Sequence, residues 1–326
     1  MSERSSVSQG IQIGKETTAG TSVAANKRLG SLSIEPSIKY EGQTFVPKGN
    51  KFSAVQSPNK EWTEAKVSGV PTYNELAYAF SGVLQKVTPT TEGTLGKRWT
   101  YVMNNSSADV LQTYTIEQGD ATRAHKMSYG TFKEFGITFA RNGFSLSGML
   151  FGQLLTDNIT MTASPTMAAL IPVLPTQMSM KVASTQSGLA GASKLNRPLT
   201  AEWKIADRIA PLWVLNDTFG SWAAPVETLP KVTGKIKMEA DAEGMSILPY
   251  LRTGDTLFVQ YACLGEELEV GTNYELTIEM ASKVTNVSEF TDQDGVYAVE
   301  WDLEATYDST WAKAFQVDLV NLLSAL

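Results

Sequence analysis

The chain has 326 residues, of which 27 are basic and 34 acidic, giving a net charge of −7. A chain of this length can bury a stable core without disulfides or a structural metal, and its single cysteine excludes an internal disulfide framework. The sequence has no cluster of basic residues that would neutralise phosphates, so it does not favour a protein that binds nucleic acid.

The N-terminal residues 1–28 are rich in Ser, Thr, Gly and Ala, with one extended patch around Ile11 and Ile13. This composition is compatible with a floppy tail or with an arm that orders only against a neighbouring molecule. The segment carries too little charge for a solubilising tail, so we expect the arm. The first residues lack the apolar core of a signal peptide, and no apolar run reaches membrane-spanning length. We therefore expect synthesis in a cytoplasm and no membrane anchor.

Residues 32–69 have a strand-like pattern broken at Pro47, Gly49 and Asn50, which predicts a long hairpin with a polar tip. Residues 73–86 then change to helical spacing, with Thr72 and Glu75 placed as a capping box. The second half of the chain contains a shorter helical run over residues 243–252, which Pro249 limits to about two turns.

Two tight hairpins follow from turn dipeptides between alternating segments. Asn142-Gly143 separates two such segments in the first half, and Asp294-Gly295 does so in the second. Both dipeptides supply the positive φ that two-residue hairpin turns require. One apolar and one polar face per strand is typical of a sheet packed on one side. The alternation of Phe315, Val317 and Leu319 predicts a last strand.

The plan of the first half recurs in the second. Lys39 and Lys204 lie 165 residues apart in similar strand contexts, and Lys66-Val67-Ser68-Gly69 and Lys231-Val232-Thr233-Gly234 are separated by the same offset. We interpret this as a tandem duplication. The predicted organisation is an arm over 1–28, repeat 1 over 29–160, a linker over 161–194 and repeat 2 over 195–326, each repeat a β-sandwich or barrel unit with a short flanking helix.

Candidate catalytic and ligand sites are weak. Cys263 lies in an alternating run and is expected to be a packed strand thiol, and the lone His125 argues against a metal site or a catalytic triad. Asp292-Gln293-Asp294-Gly295 resembles part of a calcium loop, but the closing Glu is missing and a turn is favoured. Residues 188–193 lack the ending of a phosphate-binding loop. We expect no enzymatic activity, no cofactor and no metal.

One group of acidic residues has two open interpretations. Its members alternate with apolar residues on the second-half strands: Glu275, Glu279, Glu300, Asp302 and Glu304. They form either an ordinary solvated sheet face or a surface that repels a polyanion.

The chain resembles the tail tube protein (major tail protein) of long, non-contractile-tailed bacteriophages. The resemblance spans nearly the whole chain and rests on pattern and order, without a catalytic motif. Its carriers are residues 13–21 (Ile-Gly-Lys-Glu-Thr-Thr-Ala-Gly-Thr), 207–214 (Asp-Arg-Ile-Ala-Pro-Leu-Trp-Val), 240–248 (Ala-Asp-Ala-Glu-Gly-Met-Ser-Ile-Leu) and 291–297 (Thr-Asp-Gln-Asp-Gly-Val-Tyr).

The resemblance implies two tandem tail-tube-like repeats whose strands join those of neighbours into a barrel around a lumen. Rings would stack into a tube in the virion tail that encloses the tape-measure protein, meets tail terminator and distal tail proteins, and passes DNA during ejection. Family rings are usually hexameric. Two units per chain would close the same ring as a homotrimer, while six chains per ring is the rival expectation.

Two sets of residues are assigned on this basis. Glu275, Glu279, Glu300 and Asp302 are expected to face the lumen, where like charge would keep DNA from sticking. Contacts to the adjacent ring are expected from the arm and the hairpin tip, namely Ile11, Ile13, Pro47, Lys48, Asn50 and Lys51. The alternative function is a virion decoration module or a β-module that binds a receptor or glycan, which exposed aromatic residues around a groove would favour.

Overall fold

β-Strands dominate the fold, as the alternating patterns predict. A computed structural model describes residues 8–120, 122–215 and 220–326, with 54% of the chain in strands and 8% in helices. The expectation of a mainly-β protein with few short helices is confirmed.

The first part of the chain supplies ten strands and one helix. They are β1 (Gly10–Lys15), β2 (Lys27–Leu29), β3 (Leu32–Phe45), β4 (Val55–Gly69), α1 (Leu76–Val83), β5 (Thr90–Glu92), β6 (Gly96–Tyr101), β7 (Tyr114–Gly119), β8 (Ala124–Ala140), β9 (Ser145–Gly152) and β10 (Leu155–Ile159).

The second part repeats this mixture. It contains β11 (Thr166–Met167), a 3-10 turn (Pro175–Gln177), β12 (Met178–Ala183), α2 (Gly188–Gly191), β13 (Pro198–Ala206), β14 (Ile209–Leu212), β15 (Ala224–Glu227), β16 (Lys231–Glu239), a 3-10 turn (Gly244–Ile247), α3 (Leu248–Thr253), β17 (Leu257–Glu269), β18 (Thr272–Val287), β19 (Thr291–Gln293), β20 (Val296–Ala305) and β21 (Phe315–Asn321).

Both predicted hairpins form, β8–β9 in the first half and β19–β20 in the second. Asp294 and Gly295 have φ values of 54° and 83°, as the predicted two-residue turn requires. At Asn142-Gly143 only the glycine has a positive φ, and residues 141–144 connect β8 to β9, so the predicted two-residue turn is wrong there. At the first helix, the Thr72 hydroxyl accepts a hydrogen bond from the Glu75 N–H, but Glu75 does not complete a capping box. Its carboxylate instead accepts hydrogen bonds from the backbone N–H groups of Gly30 and Leu32.

One antiparallel sheet, the long sheet, runs through both halves of the chain in the order β3-β4-β9-β8-β13-β16-β20-β18. Two further layers cover it. The first cover sheet is β11-β2-β1-β7-β8-β10, and the second is β12-β17-β18-β21-β6-β5. Because β8 and β18 pass from a cover sheet into the long sheet, nineteen strands share one hydrogen-bonded network.

The strand pairing of the first half recurs in the second. The pairs β3–β4, β4–β9, β9–β8, β8–β7, β8–β10 and β7–β1 correspond in order to β13–β16, β16–β20, β20–β18, β18–β17, β18–β21 and β17–β12. Helices α1 and α3 take the same place in chain order. We call strands β1 to β10 copy 1 and strands β12 to β21 copy 2. Six matching pairs in the same order are the topology that a tandem duplication produces.

The matching tetrapeptides are not equivalent positions, although they lie in equivalent strands. Residues 66–69 are the last four of β4, whereas residues 231–234 are the first four of β16. Gly69 pairs with Leu32, the first residue of β3, while Gly234 pairs with Trp203, the sixth residue of β13. The shared offset of this motif is therefore a coincidence, and the duplication is supported by the pairing order instead.

Two boundary predictions are wrong. The predicted arm contains β1, which pairs with β7 and β2 of its own chain, and the predicted linker contains β12, which pairs with β17. Each copy therefore begins with a strand that completes its own cover sheet. Residues 1–7 of the predicted arm lie outside the described residues.

The main core lies between the long sheet and the cover sheets, around α1. All eight residues of α1 are buried, and Phe80 contacts aromatic rings of both copies, at 5.7 Å from Phe135 and 6.1 Å from Trp203 between centroids. Farther along, the rings of Phe139 and Tyr261 stack across the layers at 5.7 Å. One core thus joins the two copies.

Candidate assembly site

The two copies meet through a strand pair in the long sheet. In copy 1, β8 pairs with β13 of copy 2 from Phe135 opposite Ile205 to Ala140 opposite Thr200. The core-facing residues of β13 at this junction are Ala201, Trp203 and Ile205, with exposed fractions of 4%, 0% and 0%. On the opposite face, Lys204 forms an ion pair with Glu134 at 3.2 Å. The junction therefore buries an apolar stripe and pairs its charges.

The equivalent strand of copy 1 lacks such a neighbour. Among the described residues, β3 pairs only with β4, so its other edge is free. Ile38 and Tyr40 of β3 remain 55% and 46% exposed. The corresponding strand of copy 2, β13, buries its apolar residues Trp203 and Ile205. The apolar stripe of β13 is covered within the chain, whereas that of β3 is covered only at Leu32 and Ile34.

The complementary free edge lies at the far end of the long sheet. Strand β18 pairs with β17 only as far as Ser282, so the side of residues 283–287 that faces away from β20 has no strand partner in the described part of the chain. Apolar side chains at this end are also exposed, with Phe290 at 60% and Tyr297 at 76%. The long sheet thus ends in two unpaired edges that correspond to the two sides of its internal junction.

The connection between β13 and β16 folds back onto copy 1. Trp222 packs on Phe151 and Tyr129 at 5.1 and 4.6 Å between centroids, and its indole N–H donates to the carbonyl of Gly152 at 2.8 Å. Its backbone carbonyl accepts from Gln153. This connection of copy 2 forms a second, small hydrophobic core with copy 1, which holds the two copies together.

A buried ion cluster strengthens the same contact. Arg208 is fully buried and pairs with Asp109, also fully buried, at 2.8 Å, and with Glu227. Its guanidinium also donates to the carbonyls of Val83 and Leu84 at the C-terminal end of α1, where the helix dipole favours a cation. Burial raises the pKa of Asp109, although Arg208 acts against this. Removing one partner from such a cluster leaves an uncompensated buried charge, which strongly destabilises the fold.

The β3–β4 hairpin projects beyond the rest of the long sheet. Strand β9 accompanies β4 only from Gly69 to Thr63, which pairs with Ile38, so residues 39–62 form a two-stranded ribbon. Pro47, Lys48, Asn50 and Lys51 at its tip are exposed, as an external contact would need. The tip also carries apolar side chains, most prominently Phe52 with an exposed fraction of 83%. The prediction of a wholly polar tip is therefore wrong.

The N-terminal residues assigned to ring contacts have a different place. Ile13 is 1% exposed and belongs to the main core, and Ile11 packs partly buried against it. The assignment of these two side chains to an inter-ring contact is wrong, because β1 is already held on both edges by β7 and β2.

The four carboxylates assigned to a lumen lie on two different surfaces. Glu300 and Asp302 lie on the polar face of the long sheet, whereas Glu275 and Glu279 lie on the outer face of the second cover sheet. These two sheets pack against each other through their apolar faces, since a Cβ at Gly234 in the long sheet would meet the Tyr261 hydroxyl at 2.7 Å. Their polar faces therefore point in opposite directions, and one bore cannot receive all four carboxylates.

The polar face of the long sheet is mixed in charge. Lys235 contacts both Glu300 and Asp302, at 3.1 and 3.2 Å. Two further lysines on this face also have carboxylate partners, Lys204 with Glu134 and Lys39 with Glu64. The predicted acidic face therefore carries charges of both signs, and Lys66, Lys231 and Lys237 on it have no carboxylate within 4 Å among the described residues.

Chemically reactive groups are held in structural roles. Burial raises the pKa of the Cys263 thiol to about 12, which suppresses the thiolate, and the His125 ring lies 3.0 Å from the Gln118 side-chain oxygen. In the part of the chain that the structure describes, no group of three or more His, Cys, Asp or Glu residues is placed to hold a metal ion. No helix of the described ranges is long and apolar enough to cross a membrane.

Sequence reasoning missed the internal junction and the ion cluster. The alternation of Ala201, Trp203 and Ile205 signals a buried strand, but nothing local indicates that its partner is β8. Arg208 and Asp109 are ninety-nine residues apart and lie in irregular segments, so no spacing rule connects them.

Comparison with known proteins adds no family assignment. No protein-family model matches the chain, and no curated protein matches it.

Proposed function

We propose that the protein is a structural subunit that polymerises head to tail into closed rings, and that stacked rings form the tail tube of a bacteriophage. The observation that carries the proposal is the pair of unmatched edges at the two ends of the long sheet. Each edge corresponds to one side of the β8–β13 junction, which the chain already forms once internally.

Repetition of that junction between chains gives a closed ring. The free edge of β3 in one subunit would pair with the β18 edge of its neighbour, burying Ile38 and Tyr40 as Trp203 and Ile205 are buried within the chain. Head-to-tail interfaces close into rings when the rotation returns to its start. Main-chain pairing of this kind also satisfies the edge groups that otherwise invite aggregation.

The long sheet would form the wall of the tube. Each chain contributes eight strands to it, so three chains would give twenty-four. Its apolar face is covered by the cover sheets, which leaves the polar face for the bore. Glu300, Asp302 and Lys235 would then line the bore, while Glu275 and Glu279 would lie on the outer surface.

A bore of paired charges suits a conduit. Each of Lys39, Lys204 and Lys235 has a carboxylate within 4 Å, which lowers the number of cations free to hold phosphates. DNA would pass without specific binding. The other partners follow from the proposed role: a tape-measure protein in the bore, and tail terminator and distal tail proteins at the tube ends. The location would be the virion, after assembly in the host cytoplasm, and no catalytic activity or cofactor is part of the role.

A glycan-binding or decoration module is the second candidate, favoured by one groove. A cavity of about 150 Å³ is lined by Trp62, Trp213 and Phe151 together with Glu41 and Lys60. Aromatic rings beside carboxylates are suited to sugars. However, Trp62 meets Trp213 edge-on at 5.7 Å, and the Lys60 ammonium lies 5.3 Å from the Trp213 ring centroid. The indole faces are therefore already engaged, which favours the ring.

Electron microscopy of the purified protein, with mass measurement by light scattering, tests the proposal. The wild type should form rings and tubes. Ile38→Asp should give folded monomers, because a charge would be buried at the new junction while the side chain is exposed in the single chain. Val270→Asp, which changes a side chain 98% exposed at the β17–β18 turn, is the matched control and should still form rings. A wild type that stays monomeric and binds an oligosaccharide would support the second candidate instead.

A further inference from the structure

A pocket with apolar and polar lining opens at one end of the long sheet. It lies at the turn end, where β8 leads to β9 and where β13 begins, and it has a volume of about 290 Å³. Its apolar lining comes from both copies, with Phe139 and Phe144 from copy 1 and Met180, Leu195 and Leu199 from the start of copy 2. A cavity of this volume is close to the lower limit of roughly 300 Å³ for sites that hold a small ligand. It is large enough for one aromatic side chain.

The tip of the ribbon carries a side chain of that kind at the opposite end of the sheet. Strands β3 and β13 run in the same direction, because each neighbouring pair from β3 through β4, β9 and β8 to β13 is antiparallel. The ribbon therefore leaves the sheet where β13 ends, whereas the pocket lies where β13 starts. Phe52 is 83% exposed at this tip, with Val46 and Val55 exposed beside it.

Stacking of rings brings the two features together. Strands in a closed barrel are inclined to its axis by roughly 35–45°, so the two ends of each strand lie on opposite rims. Every ribbon tip would then face the turn end of a subunit in the adjacent ring. The same contact would cover the exposed phenylalanine and the apolar side chains that line the open pocket.

The charges on the two surfaces are compatible with this contact. Lys48 and Lys51 flank the tip and have no ion pair within 4 Å among the described residues. Beside the pocket, Asn196 is held by Glu243 through its backbone N–H at 2.8 Å, and Arg197 pairs with Glu239. Asp241 lies close to the same arginine, so three carboxylates surround one guanidinium. Arg141 also lines the pocket, so the rim carries three carboxylates and two guanidinium groups, and Lys48 and Lys51 would meet the carboxylate in excess.

We propose that the ribbon tip of one subunit inserts Phe52 into this pocket of a subunit in the adjacent ring, with Lys48 and Lys51 facing the carboxylates of its rim. This inference rests on the proposed ring assembly and names the surfaces that stack it. The contact differs from the lateral β3–β18 junction, so ring formation and ring stacking can be separated by substitution.

The first test compares assembly of the wild type, Phe52→Ser and Val270→Ser. Both substitutions remove an exposed apolar side chain from a turn, so neither should unfold the subunit. Phe52→Ser should keep rings of normal size but weaken the association of one ring with the next by roughly tenfold or more for each phenylalanine removed. Val270→Ser should stack normally. Normal tubes from Phe52→Ser would overturn the inference, while absence of rings from the wild type would overturn the proposed function itself.

The second test is cross-linking with the pair Phe52→Cys and Leu195→Cys in one chain, under mild oxidation. The native Cys263 is buried and should not take part. Tubes of the double variant should yield covalent chains longer than one subunit, whereas isolated rings and either single variant should remain monomeric on a denaturing gel. Well-formed tubes without a cross-link would place the tip elsewhere and overturn the inference. A cross-link that forms equally in isolated rings would also overturn it, because the contact would then be lateral.

Discussion

At the residue scale, protonation of the Glu269 carboxylate should lower the free energy of unfolding. It accepts hydrogen bonds from the backbone N–H groups of Thr94 at 2.6 Å and Leu95 at 2.8 Å, in the turn between β5 and β6. These donors lower the pKa of Glu269 below its usual range. The bonds tie a hairpin of copy 1 to a strand of copy 2, so the residue joins the two copies.

The lowered pKa of Glu269 determines how the stability of the protein changes with pH. A carboxyl whose pKa is lower in the folded state contributes stability above its unfolded pKa of about 4.3. This contribution is lost as the pH falls through the folded pKa. We expect Glu269→Gln to be less stable than the wild type at pH 7 and to lose less stability between pH 5 and pH 3. Urea unfolding at several pH values checks this, with the exposed Glu304→Gln as control. Parallel curves for wild type and Glu269→Gln would contradict it.

The buried Arg208 gives a second prediction at this scale. Arg208→Gln leaves Asp109 buried without its cation, which typically costs about 3–5 kcal/mol. The paired substitution Arg208→Leu with Asp109→Leu removes both charges and should cost clearly less. Unfolding free energies of the two variants, measured under the same conditions, decide this. Equal losses would mean that Arg208 acts through its bonds to Val83 and Leu84 and not through the ion pair.

At the scale of elements, β1 is expected to be required for folding of copy 1. Removing residues 1–25 deletes β1 and with it Ile13 and Glu16, whose carboxylate accepts from the Thr115 hydroxyl at 3.0 Å. We expect the truncated chain to have a lower unfolding temperature and to be cleaved faster by proteases. This defect would be present in the single subunit, independently of assembly. The point variant Ile13→Ala should lose about 2–5 kcal/mol, as buried isoleucines do. Gln9→Ala, at an exposed site outside the strand, is the control, and equal stability of all three would contradict this role.

Elements with local signals could be predicted from the sequence, whereas those completed from a distance could not. The turn at Asp294-Gly295 and helix α1 are determined by residues within a few positions, so pattern and turn chemistry identify them. Strand β1 is short and glycine-containing, and its partner β7 lies about a hundred residues away. Its sequence alone therefore resembles an unstructured arm. The same holds for β12, and for the site, whose two free edges become visible only through the internal β8–β13 junction.

At the scale of the whole molecule, the duplication makes the ring pseudo-sixfold. Each chain already contains one junction of the type proposed between chains, so half of the junctions in a ring would lie within a chain and half between chains. The copies are alike in the long sheet but differ outside it. Hairpin β5–β6 of copy 1 adds to the edge of β21 in copy 2, while α3 and β17 of copy 2 are joined too closely to provide a counterpart.

We therefore predict three chains in each ring, with a bore that looks sixfold and an outer surface that is threefold. Six copies of the long-sheet unit, two from each chain, would surround the bore, and the β5–β6 hairpin would appear at three places on the outside. Cryo-electron microscopy of tubes and the mass of isolated rings measure this directly. Joining the C-terminus of one chain to the N-terminus of a second would give an independent check, since such a fusion should form mixed rings only with free single chains. Rings of six chains, with copy 2 outside the wall, would contradict both the stoichiometry and the pairing of β3 with β18, because copy 2 would then have no place in the sheet that surrounds the bore.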